Sequence, residues 1–167
     1  MPEKDNDDDS SRNNEGKEKS LEELYEDLRI KIKNLFGNED VLLPYIASVY
    51  QKSTLHDDLE KQINCLIWGS KCLGIDYVSR KNYCLKAVQL AKKHNDSSLI
   101  GDALYNLASD NEEFFKDPEI NSKKIIEEAI KAFSSGEYDD LLKMIDAQIL
   151  LKDLGDDFFA DYVKKDD

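Results

Sequence analysis

Glycine, proline, histidine and cysteine are all scarce in this chain, and each scarcity closes a class of function. Only 7 glycines occur in 167 residues. They stand alone or at the expected ends of helices, so no glycine-rich loop can cradle a phosphate. The two histidines, His56 and His94, both fall at expected helix ends. There a C-terminal imidazole interacts with the helix dipole rather than serving a catalytic triad. His56 and Glu60 are four residues apart, but one histidine among surface acids makes a weak metal site. The three cysteines, Cys65, Cys72 and Cys84, are odd in number and lack the spacing of zinc ligands, so they read as buried free thiols. No apolar run approaches a membrane span. The opening Met1-Pro2-Glu3-Lys4-Asp5 has no apolar segment of the kind a secretory signal needs, and a cytoplasmic location is expected.

Positive charge is also in deficit. Lysine and arginine number 23 against 36 aspartates and glutamates, a formal net charge of −13. Binding to phosphate backbones needs clustered cations, so a nucleic-acid partner is excluded from the reading, as is docking on anionic membranes. A basic protein partner remains allowed. No cofactor is implied by any motif.

What the chain does have is helical periodicity. Residues 1–20 are acidic and nearly devoid of apolar side chains; they cannot offset their ordering entropy and read as a disordered tail. Asp5, Asp7 and Asp9 alternate like the start of a calcium loop, but Ser10 stands where its glycine belongs and Gly16 where its glutamate belongs. The helical domain is expected over 21–167. Ser20-Leu21-Glu22-Glu23 is a capping box, and Leu21, Leu24, Tyr25, Leu28, Ile32, Leu35 and Phe36 form one stripe ending at Gly37. A second helix runs from about Glu39 to Lys52, with Pro44 in its first turn or bending it.

Asp57 is expected to cap a third helix that stops at Gly74, and Asp76 a fourth with Tyr83, Cys84, Ala87, Val88, Leu90 and Ala91 facing inward. Asn95-Asp96 turns the chain, and Ser97 or Ser98 caps a fifth helix that breaks before Asp117-Pro118. Phe114 and Phe115 loosely resemble an acidic diphenylalanine motif that binds an adaptor domain of the endoplasmic reticulum, but they read better as packing the end of that helix. Asn121 caps a sixth helix ending at Gly136. The seventh carries Leu141, Leu142, Met144, Ile145, Ile149 and Leu151. Leu154-Gly155-Asp156 divides it from a short last helix bearing Phe158, Phe159, Tyr162 and Val163. No segment alternates in the manner of a strand. Helix starts recur about every twenty residues from Asp57, so a two-helix unit repeats about every forty.

Tyr83 to Ala91 resembles the second helix of a tetratricopeptide repeat, and the turn Ala91 to Asp96 that of the longer, roughly forty-residue variant. Tyr105-Asn106-Leu107-Ala108 resembles the centre of the next first helix, and Ile125 to Ala132 a weaker second copy in which Ala129 stands where Ala87 stood. The pattern departs from the family's at Arg80, where a small residue is usual, and at Asn111, where an aromatic is. The resemblance spans about 57–150. It implies an all-α fold of antiparallel helix hairpins stacked as a short right-handed solenoid, with first helices lining a concave groove. On the fifth helix the groove residues would be Asp102, Tyr105, Asn106, Ser109 and Glu112. Some family members clamp a C-terminal carboxylate with Lys, Asn and Arg; Asn106 matches the clamp asparagine, but no set of clamp cations follows.

The expectation is therefore a non-catalytic scaffold that binds a peptide or protein segment through Asp102, Tyr105, Asn106 and Ser109. The alternative is a subunit of a larger assembly that docks through its C-terminal apolar helix. A small acidic enzyme or metal binder is the third class, and nothing in the motifs favours it.

Overall fold

A computed structural model describes residues 17–34 and 39–165, with side chains described over 17–34 and 41–154. Residues 1–16 of the expected tail, the Gly37 stop, and the side chains of Phe158, Phe159 and Tyr162 lie outside that description. Among the described residues the secondary structure is helical, with no strand. The elements are α1 (Leu21–Asn34), α2 (Glu39–Leu55), α3 (Leu59–Ser70), α4 (Tyr77–His94), α5 (Ser97–Asp110), a π-helical turn (Asn111–Phe115), α6 (Ser122–Phe133) and α7 (Tyr138–Lys165).

Side-chain caps mark most of the starts. The Ser20 hydroxyl accepts from the Glu23 amide at 3.2 Å, Asp76 caps α4 by accepting from Ser79 at 2.8 Å, and Asn121 caps α6 by accepting from Lys124 at 3.1 Å. Each satisfies one of the amides that a helix start leaves without an intrahelical partner. Two caps fall one residue from their expected places. Asp58, not Asp57, caps α3, because Asp57 is held at φ 52° in the turn that leaves α2. Asp96, not Ser97 or Ser98, caps α5, because Asn95 takes the left-handed turn at φ 59° and leaves Asp96 extended. Helix α3 also stops four residues short of Gly74. Pro44 is accommodated inside α2. Gly155 does not divide the last helix: α7 runs through it to Lys165.

Consecutive helices pack against one another, and α5 touches α3 and α7 besides its chain neighbours. The core is accordingly a row of clusters. Leu28, Leu42, Ile46 and Val49 join α1 and α2 to Cys65 of α3. Ile63, Leu66 and Ile67 meet Ala87, Leu90 and Ala91 of α4 and Leu99 and Ala103 of α5. Leu104, Ala129 and Phe133 join α5 to α6, and Ala108, Ile126 and Ala147 close the row against α7. A fully buried alanine stands at each consecutive crossing from α3 onward, which lets the helix backbones approach. Tyr25 of α1 is fixed to α3 by the Asn64 amide, which donates to its hydroxyl at 2.8 Å, and by the Trp68 ring 5.4 Å away.

The α5–α6 crossing leaves no room for a side chain at Gly101. A Cβ built on Gly101 would lie 2.4 Å from the Phe133 ring, which is fully buried. Gly101→Ala gains about 1 kcal/mol of helix propensity but overpacks the crossing at a cost of about 1–3 kcal/mol. A lowered urea midpoint is expected, recovered in part by adding Phe133→Leu. An unchanged midpoint would show that the ring has room to move.

Candidate functional site: a polar cleft over a buried arginine

The chain segment after α3 returns beneath the C-terminal half of α5. There Lys71, Leu73, Tyr105, Asn106, Ser109, Asp110, Glu113 and Phe114 line an open cleft of about 250 Å³. On its far side Tyr105 also borders a shallow depression between α5 and α7, formed with Asp146, Ile149, Leu150 and Asp153. Tyr105 is therefore the hinge of two adjoining hollows that cross from α3 to α7.

Under the cleft lies a buried polar cluster. Arg80, in the first turn of α4, is 1% exposed. Its guanidinium donates to the backbone carbonyls of Ser70 and of Cys72, the latter at 3.0 Å. These carbonyls lie at and just past the end of α3, where intrahelical partners are missing and the helix dipole is negative. The guanidinium carbon sits 3.8 Å from the centre of the Phe114 ring, a desolvated cation–π contact. Among the described residues Arg80 Nε has no hydrogen-bond partner. Asn106 is 3% exposed and donates to Ser70 Oγ at 2.9 Å and Cys84 Sγ at 3.4 Å. Cys84 in turn donates to Asp110 Oδ2 at 3.3 Å.

Burial sets the protonation states. Asp110 is 4% exposed, and desolvation raises its pKa above the usual carboxylate value, against the opposing pull of Cys84, Ser70 and Arg80. Burial likewise pushes the Cys84 thiol up, reinforced by Asp110, and raises Cys65 to about 12. Both thiols are held protonated, the opposite of what a nucleophilic cysteine needs. Among the described residues no group of three histidine, cysteine or carboxylate side chains converges as metal ligands would, and no helix is long and apolar enough to cross a membrane.

The expected groove residues divide. Tyr105 and Ser109 are partly exposed and share the cleft. Asn106 lines its floor, but its amide is engaged in the buried cluster, so it is not a free groove group as expected. Asp102 lies one turn back, outside the cleft lining, and its carboxylate pairs with Lys143 of α7 at 3.0 Å. Burial raises its pKa while Lys143 opposes. Glu112 faces a different hollow with Asn111, Lys116 and Asp117. Sequence reasoning missed Lys71, Leu73, Asp110, Glu113 and Phe114 as cleft residues. The one signal pointing here was Arg80, a large cation where the repeat pattern has a small residue.

A carboxyl whose folded pKa is raised binds its proton more tightly in the folded state. Stability therefore falls as pH rises from about 4, the unfolded value, through the raised folded value. Asp110→Asn keeps an oxygen that can accept from Cys84 and removes the ionisation. In urea titrations across pH the variant is expected to gain on the native chain as pH rises through that window, the difference then levelling off. A difference that does not vary with pH would show that Asp110 titrates alike in both states.

Comparison with protein-family models finds no match, and comparisons with curated proteins and with solved structures find none either.

Proposed function

We propose that this chain is a non-catalytic binding scaffold that captures an extended protein segment, basic in character, in the hollows hinged on Tyr105. The reading takes the stacked hairpins as a short tetratricopeptide-like solenoid with α3, α5 and α7 lining its concave side. The observation that carries it is that the two hollows share Tyr105 in their linings. Tyr105 offers an aromatic face and a hydroxyl at their junction. The surrounding groups are Leu73 and Phe114 as apolar contacts, Ser109 and Lys71 as hydrogen-bonding groups, and Glu113, Asp146 and Asp153 as acids. An extended segment bound there would be held by side-chain contacts to fixed helices, as in other groove-binding modules. The acidic margin favours lysine or arginine on the segment.

The exposed outer face of α7, described below, favours a second reading, in which the chain is also a subunit that docks on a partner through its last helix.

Peptide-display selection on the intact chain tests the groove. Enrichment of basic sequences is expected. Their binding should weaken about tenfold or more in Tyr105→Ala and Ser109→Arg, the scale expected when a central contact is lost, with the far-ultraviolet circular dichroism unchanged. Selected peptides that bind both variants as tightly as the native chain would place recognition elsewhere.

A further inference from the structure

Helix α7 turns an apolar face to solvent. Tyr138, Leu141, Leu142, Ile145 and Ile149 are between 41% and 73% exposed, while Ala147 on the opposite face is fully buried against α5 and α6. Tyr138, Leu142, Ile145 and Ile149 follow one another at spacings of four, three and four. That is the alternation of the d and a positions of a heptad seam. Three turns of seam therefore run along the outside of the helix, about 16 Å in length at 1.5 Å per residue.

One flank of the seam is uniformly acidic. With Tyr138 at d, the e positions of successive heptads are Asp139, Asp146 and Asp153, all exposed. None of the three takes part in a salt bridge among the described residues. The opposite flank carries Leu141 and Gln148 at g and no charge. The only lysine near the middle of this stretch, Lys143, points inward to Asp102.

We propose that this face docks an amphipathic helix from another protein, apolar along its own seam and lined with lysine or arginine on the edge that meets Asp139, Asp146 and Asp153. Other occupants fit less well. A second copy brings a net charge of −13 of its own. Paired antiparallel it sets aspartate against aspartate; paired parallel it sets aspartate against leucine and glutamine. Neither arrangement supplies the missing cations. Residues 1–16 are acidic and carry no apolar side chain beyond Met1 and Pro2, so they cannot fill the seam. Helix α7 itself continues as a helix to Lys165 rather than turning back over its outer face. The proposal specifies the partner for the subunit reading above; Asp146, Ile149 and Asp153 also border the depression beside Tyr105, so the two sites adjoin, and Ile145, which lines neither hollow, tells them apart.

The test uses the full chain and two synthetic helical peptides of about three heptads, leucine at a and d, with either lysine or glutamate at e and g. The lysine peptide is expected to bind at least about tenfold tighter than the glutamate peptide, since like charges facing each other are rejected. That preference should reverse in the triple variant Asp139→Lys, Asp146→Lys, Asp153→Lys, whose changes are all at solvent-facing positions. Ile145→Asp, at a position outside both hollows, should abolish binding, and Tyr105→Ala should leave it unchanged, which shows that the seam rather than the Tyr105 side chain holds the helix. Equal binding of both peptides, binding of neither, or a dimer in sedimentation that Ile145→Asp dissolves would each overturn the proposal.

Discussion

The burial of one guanidinium constrains the centre of the molecule. Among the described residues Arg80 is the largest side chain fully removed from solvent. A buried cation is costly unless its surroundings replace water. Three kinds of group do so here. The C-terminal carbonyls of α3 accept from it, the face of Phe114 covers it, and the Asp110 carboxyl lies within its electrostatic reach. Each comes from a different segment, so the start of α4, the end of α3 and the exit of α5 have to meet at one point. The π-helical turn follows from the same requirement. It shifts the register of the helix after Asp110, which brings Phe114 over the guanidinium, and Lys116 then leaves the turn in a left-handed conformation at φ 43°. Asn111 fixes the following loop. Its amide nitrogen donates to Ser122 Oγ at 2.8 Å, and its oxygen accepts from the Asp117 amide at 2.8 Å. Lys81, the residue after Arg80, ties the same loop to α4 through Asp117.

The cleft exists because this polar cluster replaces what would otherwise be apolar packing. Elsewhere alanine crossings let helices close on one another: Ala87 and Ala91 against α3 and α5, Ala129 and Ala147 against α5 and α6. Beneath Tyr105 the facing groups are Asn106, Asp110 and the backbone turn at Lys71, which need hydrogen bonds rather than close contact. The surface above them stays open and polar, and its margin inherits the acidity of α5 and α7.

Helices and turns were readable because their signals are local. Asp76, Asn121 and Ser20 cap where a side-chain oxygen can reach an amide three residues on, and Asn95 turns where a left-handed residue is tolerated. Boundaries slipped where two adjacent residues could both serve, as at Asp57 and Asp58, since backbone torsion decided between them. Gly155 failed as a stop because one glycine costs a helix only about 1 kcal/mol. The site was less legible for a different reason. Polarity at Asn106 was read as exposure, but its partner Ser70 is 36 residues away, and nothing in a linear pattern announces that pairing. Arg80 and Asn111 were visible only as departures from the pattern of the resembled family, and both are buried polar anchors.

Helix α7 shows how two apolar faces on one helix are sorted. Its sequence carries a stripe through Met144, Ala147 and Leu151 and another through Leu142, Ile145 and Ile149. Hydrophobicity favours burying the second, which is larger. The first faces inward because Ala147 lets α7 approach Ala108 and Ile126 closely, and because turning that way lets Lys143 meet Asp102 and the buried Asp140 accept from Ser98 at 2.7 Å. Asp146 and Asp153 already border α5 at the depression beside Tyr105; burying the second stripe instead would draw them out of solvent toward a surface that holds Asp102 and Asp110 with raised pKa values. Like-charge repulsion in a partly desolvated crossing opposes that rotation. Shape and charge thus select the smaller face for the core, and the larger one is left outside with its acidic edge intact.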